Sequence, residues 1–324
     1  MRQNNFFLML LKVFFFSSIL VATSAVRAEL KVVTTIKPLH SLIANVMDGV
    51  GEPALIIEGS TSPHSFTLKP SHAKLLEEAD IIFWVGESIE TFMERPLESI
   101  VKNAEVVEFM EVESINKLKF REESIFEDHD DHDDHDDHDD HDDHDDHSGH
   151  DHHGHAHGEF DAHIWLDPMN AKEMVHEIAH ELGDLDPANK NKYEANAQAT
   201  IQALDQLVND IEKGINKDAK FVVFHDAYQY FEERFGVRAA GALTLNTDVL
   251  PGAKQIADIQ DVIKDRGIKC IFSEPQFNPK IITTIAEDMN IKTGVFDPLG
   301  ANIDSNKDLY FKLIQNLGDE LKGC

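Results

Sequence analysis

Apolar and polar positions follow two alternating patterns along the chain from about residue 30 onward. Short runs rich in β-branched residues are separated by longer segments with apolar residues at helical spacing, which is typical of βα units around parallel sheets. Strands are predicted at 30–36, 54–57, 81–85 and 104–109, and again at 220–225, 237–242, 269–273 and 291–296. The pattern predicts an α/β fold with two lobes, each built on a parallel sheet.

Helical spacing fills the segments between these strands. Predicted helices cover 39–47, 71–79 and 88–101 in the first lobe, and 227–235, 253–266, 279–289 and 307–321 in the second. Two further helices lie between the lobes, namely 170–182, which ends at Gly183, and 187–213, which follows the N-cap candidate Asp186. The second would be roughly 40 Å long, more than one small lobe needs. We interpret it as a rigid helix that joins the two lobes.

The domain organisation follows from these elements. We predict a signal peptide (1–28), an N-terminal lobe (29–186) containing a His- and Asp-rich loop (127–158), the long helix (187–214) and a C-terminal lobe (215–324). Ligands of open parallel sheets bind beyond the carboxyl ends of the strands. A ligand site is therefore expected in the cleft between the lobes.

The first 28 residues have the organisation of a secretory signal peptide. Arg2 precedes an apolar stretch, and small residues follow it up to Ala28, near which we expect cleavage. A membrane anchor is disfavoured because Lys12 interrupts the stretch and the uncharged part is short. The sequence therefore predicts a soluble protein of the bacterial periplasm.

Two cysteines, Cys270 and Cys324, lie in the C-terminal lobe. An exported chain usually pairs its cysteines, and this pair would close a loop of about fifty residues, with a stabilisation of roughly 4 kcal/mol. The alternatives are two free thiols or a thiolate metal site, both of which an oxidising compartment disfavours.

One internal segment has an extreme composition. Residues 128–157 contain twelve histidines and fourteen aspartates, including six consecutive Asp-Asp-His triplets, and no residue that can build a core. A solvated loop is therefore predicted. Imidazoles and carboxylates bind divalent metals, but many near-equivalent ligand sets predict several weak sites with little selectivity. The predicted low-affinity ligands are His129, His132, His135, His138, His141, His144, His147, His150, His152, His153, His155 and His157.

The same aspartates account for a large part of the net charge, which is −31 at pH 7. Because they are confined to the loop, the folded part is only moderately acidic, and nucleic acid is disfavoured as a partner. The alternative reading of the loop is an acidic, solubilising spacer. That reading does not explain a histidine at every third position.

Single residues at strand ends predict a more selective metal site. His225 ends one predicted strand, His64 lies in the loop after another, and His163 opens the segment after the His- and Asp-rich loop. Asp297 directly follows the last predicted strand. Three imidazoles and one carboxylate make a four-coordinate set that suits Zn²⁺.

A competing motif is the H-E-x-x-H sequence formed by His176, Glu177 and His180, with Asp186 in the third-ligand position of an extended protease motif. It would make the chain an exported zinc metalloprotease. The apolar stripe of the same predicted helix places both histidines on the opposite, solvated face, away from any cleft. The protease reading is therefore disfavoured.

Several segments together resemble the metal-specific solute-binding proteins of ABC importers, and most closely their zinc-binding members. The resemblance covers essentially the whole chain after the signal peptide. It is carried by Pro63-His64-Ser65-Phe66, His163-Ile164-Trp165-Leu166-Asp167-Pro168, Phe224-His225-Asp226-Ala227-Tyr228, Ser273-Glu274-Pro275-Gln276-Phe277 and Asp297-Pro298-Leu299-Gly300.

The resemblance implies a receptor that binds Zn²⁺ without catalysis and delivers it to an ABC permease in the inner membrane, driven by a cytoplasmic ATPase. It implies His64, His163 and His225 as ligands, with Asp297 or water in the fourth position, because Pro63 stands where some members have a ligating glutamate. It also implies a disulfide between the two cysteines. A Mn²⁺ receptor is the alternative within the family, but manganese-type members have a carboxylate in place of His225. We expect a monomer.

Overall fold

The computed structural model describes residues 29–126, 159–245, 247 and 251–324. The predicted signal peptide and the predicted His- and Asp-rich loop lie outside these residues. Within them, no helix combines the length and the apolar character that crossing a membrane requires.

Two parallel four-stranded sheets form the centres of two lobes, which confirms the predicted fold class. The strand order is β2-β1-β3-β4 in the first sheet and β6-β5-β7-β8 in the second. The strands are β1 Val32–Thr34, β2 Ala54–Leu55, β3 Ile81–Trp84, β4 Glu105–Glu108, β5 Phe221–His225, β6 Ala242–Thr244, β7 Cys270–Ser273 and β8 Lys292–Val295. In each sheet the order reverses beside the first strand, and this reversal leaves a crevice at the carboxyl ends of the central strands.

Helices cover the sheets and connect the lobes. They are α1 Lys37–Val46, α2 Pro70–Glu78, α3 Glu94–Ser99, α4 Pro168–Leu185, α5 Lys190–Gly214, α6 Gln229–Phe235, α7 Ala253–Asp265, α8 Lys280–Met289 and α9 Leu309–Leu321. Helix α5 is the predicted long helix, with 25 residues. Its buried face, which includes Tyr193, Leu204 and Ile211, packs into one hydrophobic core together with residues of both lobes.

The lobes are also joined away from α5. Helix α9 packs against both α1 and α5, and the Ser41 hydroxyl accepts a hydrogen bond from the backbone N–H of Tyr310 at 3.1 Å. The buried ammonium of Lys37 donates to the carbonyls of Gly300 and Ile303, each at 2.6 Å. A disulfide joins Cys270 to Cys324, as predicted. The C-terminal segment is thereby fixed to the sheet of one lobe and to the first helix of the other.

Three of the predicted boundaries that differ from the structure have identifiable physical reasons. The predicted helix 88–101 is reduced to a 3₁₀ turn and α3, because Pro96 is compatible only with the first turn of a helix. Strand β6 begins at Ala242, five residues later than predicted. Helix α4 continues through Gly183 to Leu185. A Cβ at Gly183 would lie 3.0 Å from the Lys190 side chain, so this glycine allows close helix packing and does not end the helix.

A segment that we call the strap, residues 116–126, lies along the C-terminal lobe although the predicted N-terminal lobe includes it. Its Ile125 forms an antiparallel bridge with Gly241, and Phe126 donates its N–H to the carbonyl of Ala240 at 3.1 Å. A Cβ at Gly241 would lie 2.6 Å from a strap carbonyl, so only glycine permits this approach. The strap therefore covers the open edge of the second sheet.

Candidate metal centre

The three histidines predicted at strand ends meet in the cleft between the lobes. His225 is the last residue of β5 and lies at the point where the strand order of the second sheet reverses. His163 immediately precedes a 3₁₀ turn that leads into α4. His64 lies in a 3₁₀ turn after β2, on the side of the N-terminal lobe. The cleft thus receives side chains from both lobes.

These imidazoles converge closely enough to share one ion. One ring nitrogen from each of His64, His163 and His225 lies within 4.8 Å of the other two, and Nε2 of His163 lies 3.3 Å from Nε2 of His225. His163 and His225 are buried, and His64 is half-buried. The cavity between them has a volume of about 10 Å³, which is about the space that one water molecule requires. The site therefore fits a single ion and excludes an organic ligand.

Buried carboxylates orient two of the three rings. Asp161 Oδ1 lies 2.7 Å from Nδ1 of His163, and Glu274 Oε1 lies 2.6 Å from Nδ1 of His225. A carboxylate in this position holds the proton on Nδ1, so the Nε2 lone pair faces the cavity. Two such lone pairs at 3.3 Å repel each other unless a cation or a proton lies between them. This geometry favours binding of a metal ion.

Electrostatics in this region are dominated by anionic groups. Burial alone would lower the pKa of His225, but the nearby carboxylates of Glu274, Asp226 and Asp161 outweigh this effect and raise it. Burial raises the pKa of Asp226 to about 7, against the opposing influence of Arg121. The surroundings of the cavity therefore stabilise added positive charge.

Asp297, the fourth predicted ligand, has other contacts in the structure. Its Oδ1 accepts from Nε2 of Gln276 at 2.9 Å and from the N–H of Leu299 at 3.1 Å, and its Oδ2 accepts from the N–H of Ala301 at 2.6 Å. Within the described ranges, the group of side chains close enough to share a metal contains the three histidines without Asp297. Asp297 instead organises the loop whose residues Pro298 and Leu299 line the cavity.

The H-E-x-x-H residues lie on α4, and in the described residues they are not part of the histidine group. His176 and His180 are exposed, and Nδ1 of His180 lies 3.8 Å from Asp184. Asp186 is buried and accepts from the side-chain amide of Asn189 at 2.6 Å, at the turn between α4 and α5. In the part of the chain that the structure describes, these residues form no ligand group.

Sequence reasoning missed Asp161 and Glu274 as parts of the site. A signal for Glu274 was present, because it follows β7 as Asp297 follows β8. Asp161 had a weaker signal, since only its position two residues before His163 connects it to the site. The sequence also does not predict a role for Trp165 in the site. Its indole N–H donates to the carbonyl of Pro298 at 2.8 Å and connects the His163 segment to the loop beside the cavity.

Comparisons with known proteins identify relatives over almost the whole chain. The family described as ZnuA, zinc-uptake complex component A, periplasmic, matches residues 32–324. The chain is 49% identical over 303 residues to the high-affinity zinc uptake system protein ZnuA of Brucella abortus, covering 90% of this chain and 91% of that protein. It is 32% identical to the protein of the same name from Yersinia pestis, covering 95% of each.

Solved structures show the same fold. A crystal structure of ZnuA superposes with a TM-score of 0.70 at 21% identity, covering 90% of this chain and 98% of that one. The laminin-binding protein Lmb of Streptococcus agalactiae, described as an adhesin with metal-transporting activity, superposes with a TM-score of 0.69 at 24% identity, covering 90% and 100%. Family profile and relatives together confirm the resemblance seen in the sequence, and the chain belongs to the ZnuA family of periplasmic zinc-uptake components.

Proposed function

We propose that this chain is a periplasmic receptor that captures Zn²⁺ with His64, His163 and His225 and delivers it to the permease of an ABC-type zinc importer. The observation that carries the proposal is the convergence of three imidazoles on a cavity the size of one ion. Two of these rings are held by carboxylates in the orientation that metal-binding histidines adopt. Zn²⁺ is cargo here, and no catalytic step is involved.

The donor set supports zinc over the harder divalent ions. Imidazole nitrogen suits Zn²⁺, whereas Mn²⁺ and Mg²⁺ prefer carboxylate and water oxygen. Because both Asp297 oxygens accept hydrogen bonds from the protein, we propose water as the fourth ligand. A position filled by water is also one that a ligand of the permease can enter during transfer. The alternative Mn²⁺ receptor would need a carboxylate among the ligands.

The test is chelator competition with the purified protein. His225→Ala is expected to abolish tight zinc binding, and His176→Ala, on the exposed face of α4, is the matched control and should leave it unchanged. Tight binding that survives in His225→Ala but is lost in His176→Ala would show that the zinc site lies on α4. Peptidase activity that Glu177→Gln removes would then establish the metalloprotease alternative.

Delivery requires a second experiment. We propose that docking on the permease, with its cytoplasmic ATPase, triggers release of zinc. Zinc transfer to vesicles carrying the permease should therefore slow when the docking surface is blocked. An unchanged transfer rate would show that zinc is released into solution first.

The His- and Asp-rich loop 127–158 is proposed as a low-affinity zinc antenna or buffer for this site. Deletion of 128–157 is expected to remove several weak sites and to retain the tight one. Loss of the tight site in that deletion would refute the antenna role. The signal peptide, with cleavage near Ala28, is proposed on the sequence alone, and N-terminal sequencing of the secreted protein tests it.

A further inference from the structure

Arg121, on the strap, is a buried cation that the proposed zinc site does not use directly. Its side chain is 14% exposed. Nη2 lies 3.1 Å from Oε2 of Glu232 on α6 and 3.2 Å from Oδ1 of Asp226, the residue directly after His225. The guanidinium carbon lies 3.9 Å above the ring of Phe126. Arg121 thus contacts two carboxylates and one aromatic face simultaneously.

The carboxylates around Arg121 have few other hydrogen-bond donors. Within the described residues, Oδ1 of Asp226, Oε1 of Glu232 and Oδ2 of Asp161 are buried and accept no hydrogen bond. Arg121 is therefore the main cation that compensates the charge of Asp226. A buried carboxylate that loses such compensation is costly and drives rearrangement of its surroundings.

The strap also holds the segment that carries His163. The carbonyl of Leu118 accepts from the N–H of Asp161 at 2.9 Å, and Lys119 forms an antiparallel bridge with Phe160. The N–H of Leu118 donates to the Tyr230 hydroxyl, which in turn donates to the carbonyl of Asp161 at 2.6 Å. A displacement of the strap is therefore transmitted to Asp161, which orients His163.

We propose that Arg121 is a positioning residue of the metal centre: by binding Asp226 and Glu232 it fixes the strap, and through the strap and Asp226 it fixes the orientation of His163 and His225. The inference rests on the proposed zinc site. It assigns to a residue without any contact to the metal a measurable share of zinc affinity.

The sign of the effect separates this role from two simpler ones. If Arg121 acted only through its charge, removing a cation near Zn²⁺ would tighten zinc binding. If it acted only on folding, its removal would lower thermal stability with unchanged affinity. A positioning role alone predicts weaker zinc binding, because the two imidazoles lose their fixed geometry.

The experiment compares Arg121→Met with wild-type protein. Zinc affinity is measured by chelator competition, and Co²⁺ bound in place of Zn²⁺ reports the coordination geometry through its visible spectrum. We expect about tenfold weaker zinc binding, at the low end of the range of roughly 10–100-fold for groups that orient ligands. The Co²⁺ spectrum should change as well.

Arg234→Met is the matched control. Arg234 also forms an ion pair with a buried carboxylate, with Nε 2.7 Å from Asp167. Asp167 caps the N-terminus of α4 by accepting from the N–H of Met169, whereas Asp226 directly follows His225. This variant should lose stability and keep both the affinity and the Co²⁺ spectrum. If Arg121→Met does not fold, Arg121→Lys replaces it, because lysine keeps the charge but has no planar guanidinium to lie over the Phe126 ring.

The outcomes are distinguishable from failure of the proposed function. If wild-type protein lacks a tight zinc site that depends on His225, the proposed function fails and the inference fails with it. If wild-type protein binds zinc and the Arg121 variant binds equally or more tightly with an unchanged Co²⁺ spectrum, the positioning role alone is overturned.

Discussion

His64 and the pair formed by His163 and His225 reach the same cavity from different surroundings. The pair is buried, and each ring is held by a carboxylate within 2.7 Å of its Nδ1. His64 is half-buried and lies in a 3₁₀ turn of three residues, on the side of the N-terminal lobe. Two of the proposed ligands, His163 and His225, are therefore held on one side of the cleft, and the third, His64, belongs to the facing wall.

This difference suggests an order of events in metal binding. A pair whose geometry is already fixed loses little entropy when it binds an ion, so it provides most of the affinity. A ligand on the opposite wall completes the coordination and closes the ion off from solvent. With the proposed ligand set, we therefore expect recognition of the ion on one side of the cleft and its retention on the other.

The largest expected effect on zinc affinity comes from replacing a proposed ligand, and we compare one single variant from each side of the cleft. His163→Ala should weaken zinc binding by about a thousandfold, or ~4 kcal/mol, because it removes a ligand and also leaves buried Asp161 without its Nδ1–H donor. His64→Ala should weaken it by about tenfold to a hundredfold, with most of the change in the dissociation rate. Chelator competition and stopped-flow release measure both. Equal losses would show that the two walls contribute alike.

The second expected effect is on the pH dependence of stability. It concerns Glu90, a buried acid of the N-terminal lobe. In the N-terminal lobe, the Glu90 carboxylate accepts from the N–H groups of Val85 and Gly86. Burial raises its pKa from 4.5 to about 7. The folded state therefore binds a proton that the unfolded state releases, and stability falls as pH rises from about 4.5 to 7.

The shift corresponds to about 3 kcal/mol across that window. Glu90→Gln should remove this decrease, because an amide keeps an acceptor and does not titrate. Urea unfolding of both proteins at a series of pH values gives the comparison. Parallel stability curves would show that Glu90 does not titrate in this range.

A third, smaller effect tests the carboxylate that orients His225. Glu274→Gln should weaken zinc binding by roughly 10–100-fold, as expected for groups that hold a metal-binding histidine. Glu90→Gln serves as the control, since it removes a similarly buried acid that accepts from the backbone N–H groups of Val85 and Gly86. If both variants bound zinc as tightly as wild type, the orientation of His225 would not depend on Glu274.

The smallest expected effect on zinc belongs to Asp297. Asp297→Asn should lower the free energy of unfolding by about 1–2 kcal/mol, because the amide cannot accept all three hydrogen bonds of the carboxylate. Zinc affinity should change by less than about threefold. A loss comparable to that of His163→Ala would instead identify Asp297 as a ligand that moves when zinc binds.

Patterns local in sequence predicted much of the fold. The runs that became β3, β5 and β7 are short and apolar, with turn residues on both sides, and their positions agree with the prediction to within about one residue. Strand β6 was misplaced because residues just before it pair with the strap, a segment more than a hundred residues earlier. Helix α3 is shorter than predicted because Pro96 restricts where the helix can begin, which helical spacing of apolar residues does not show.

The candidate site likewise contains residues that the sequence predicts and residues that depend on long-range pairing. His225 and His163 were found because strand ends and segment starts are visible in sequence. The carboxylates that hold them were not found, because the contact between Glu274 and His225 joins residues 49 apart and depends on the strand order. Arg121 was invisible for the same reason, since its partners are defined by the path of the strap. Long-range pairing separates what sequence can predict from what only the structure shows.

The base of the His- and Asp-rich loop is closed by backbone pairing between Lys119 and Phe160 and between Phe120 and Glu159. For a chain whose ends are already fixed, each doubling of length costs only about 0.6 kcal/mol in closure entropy. Additional Asp-Asp-His triplets inserted between residues 120 and 159 should therefore cost the folded protein little stability.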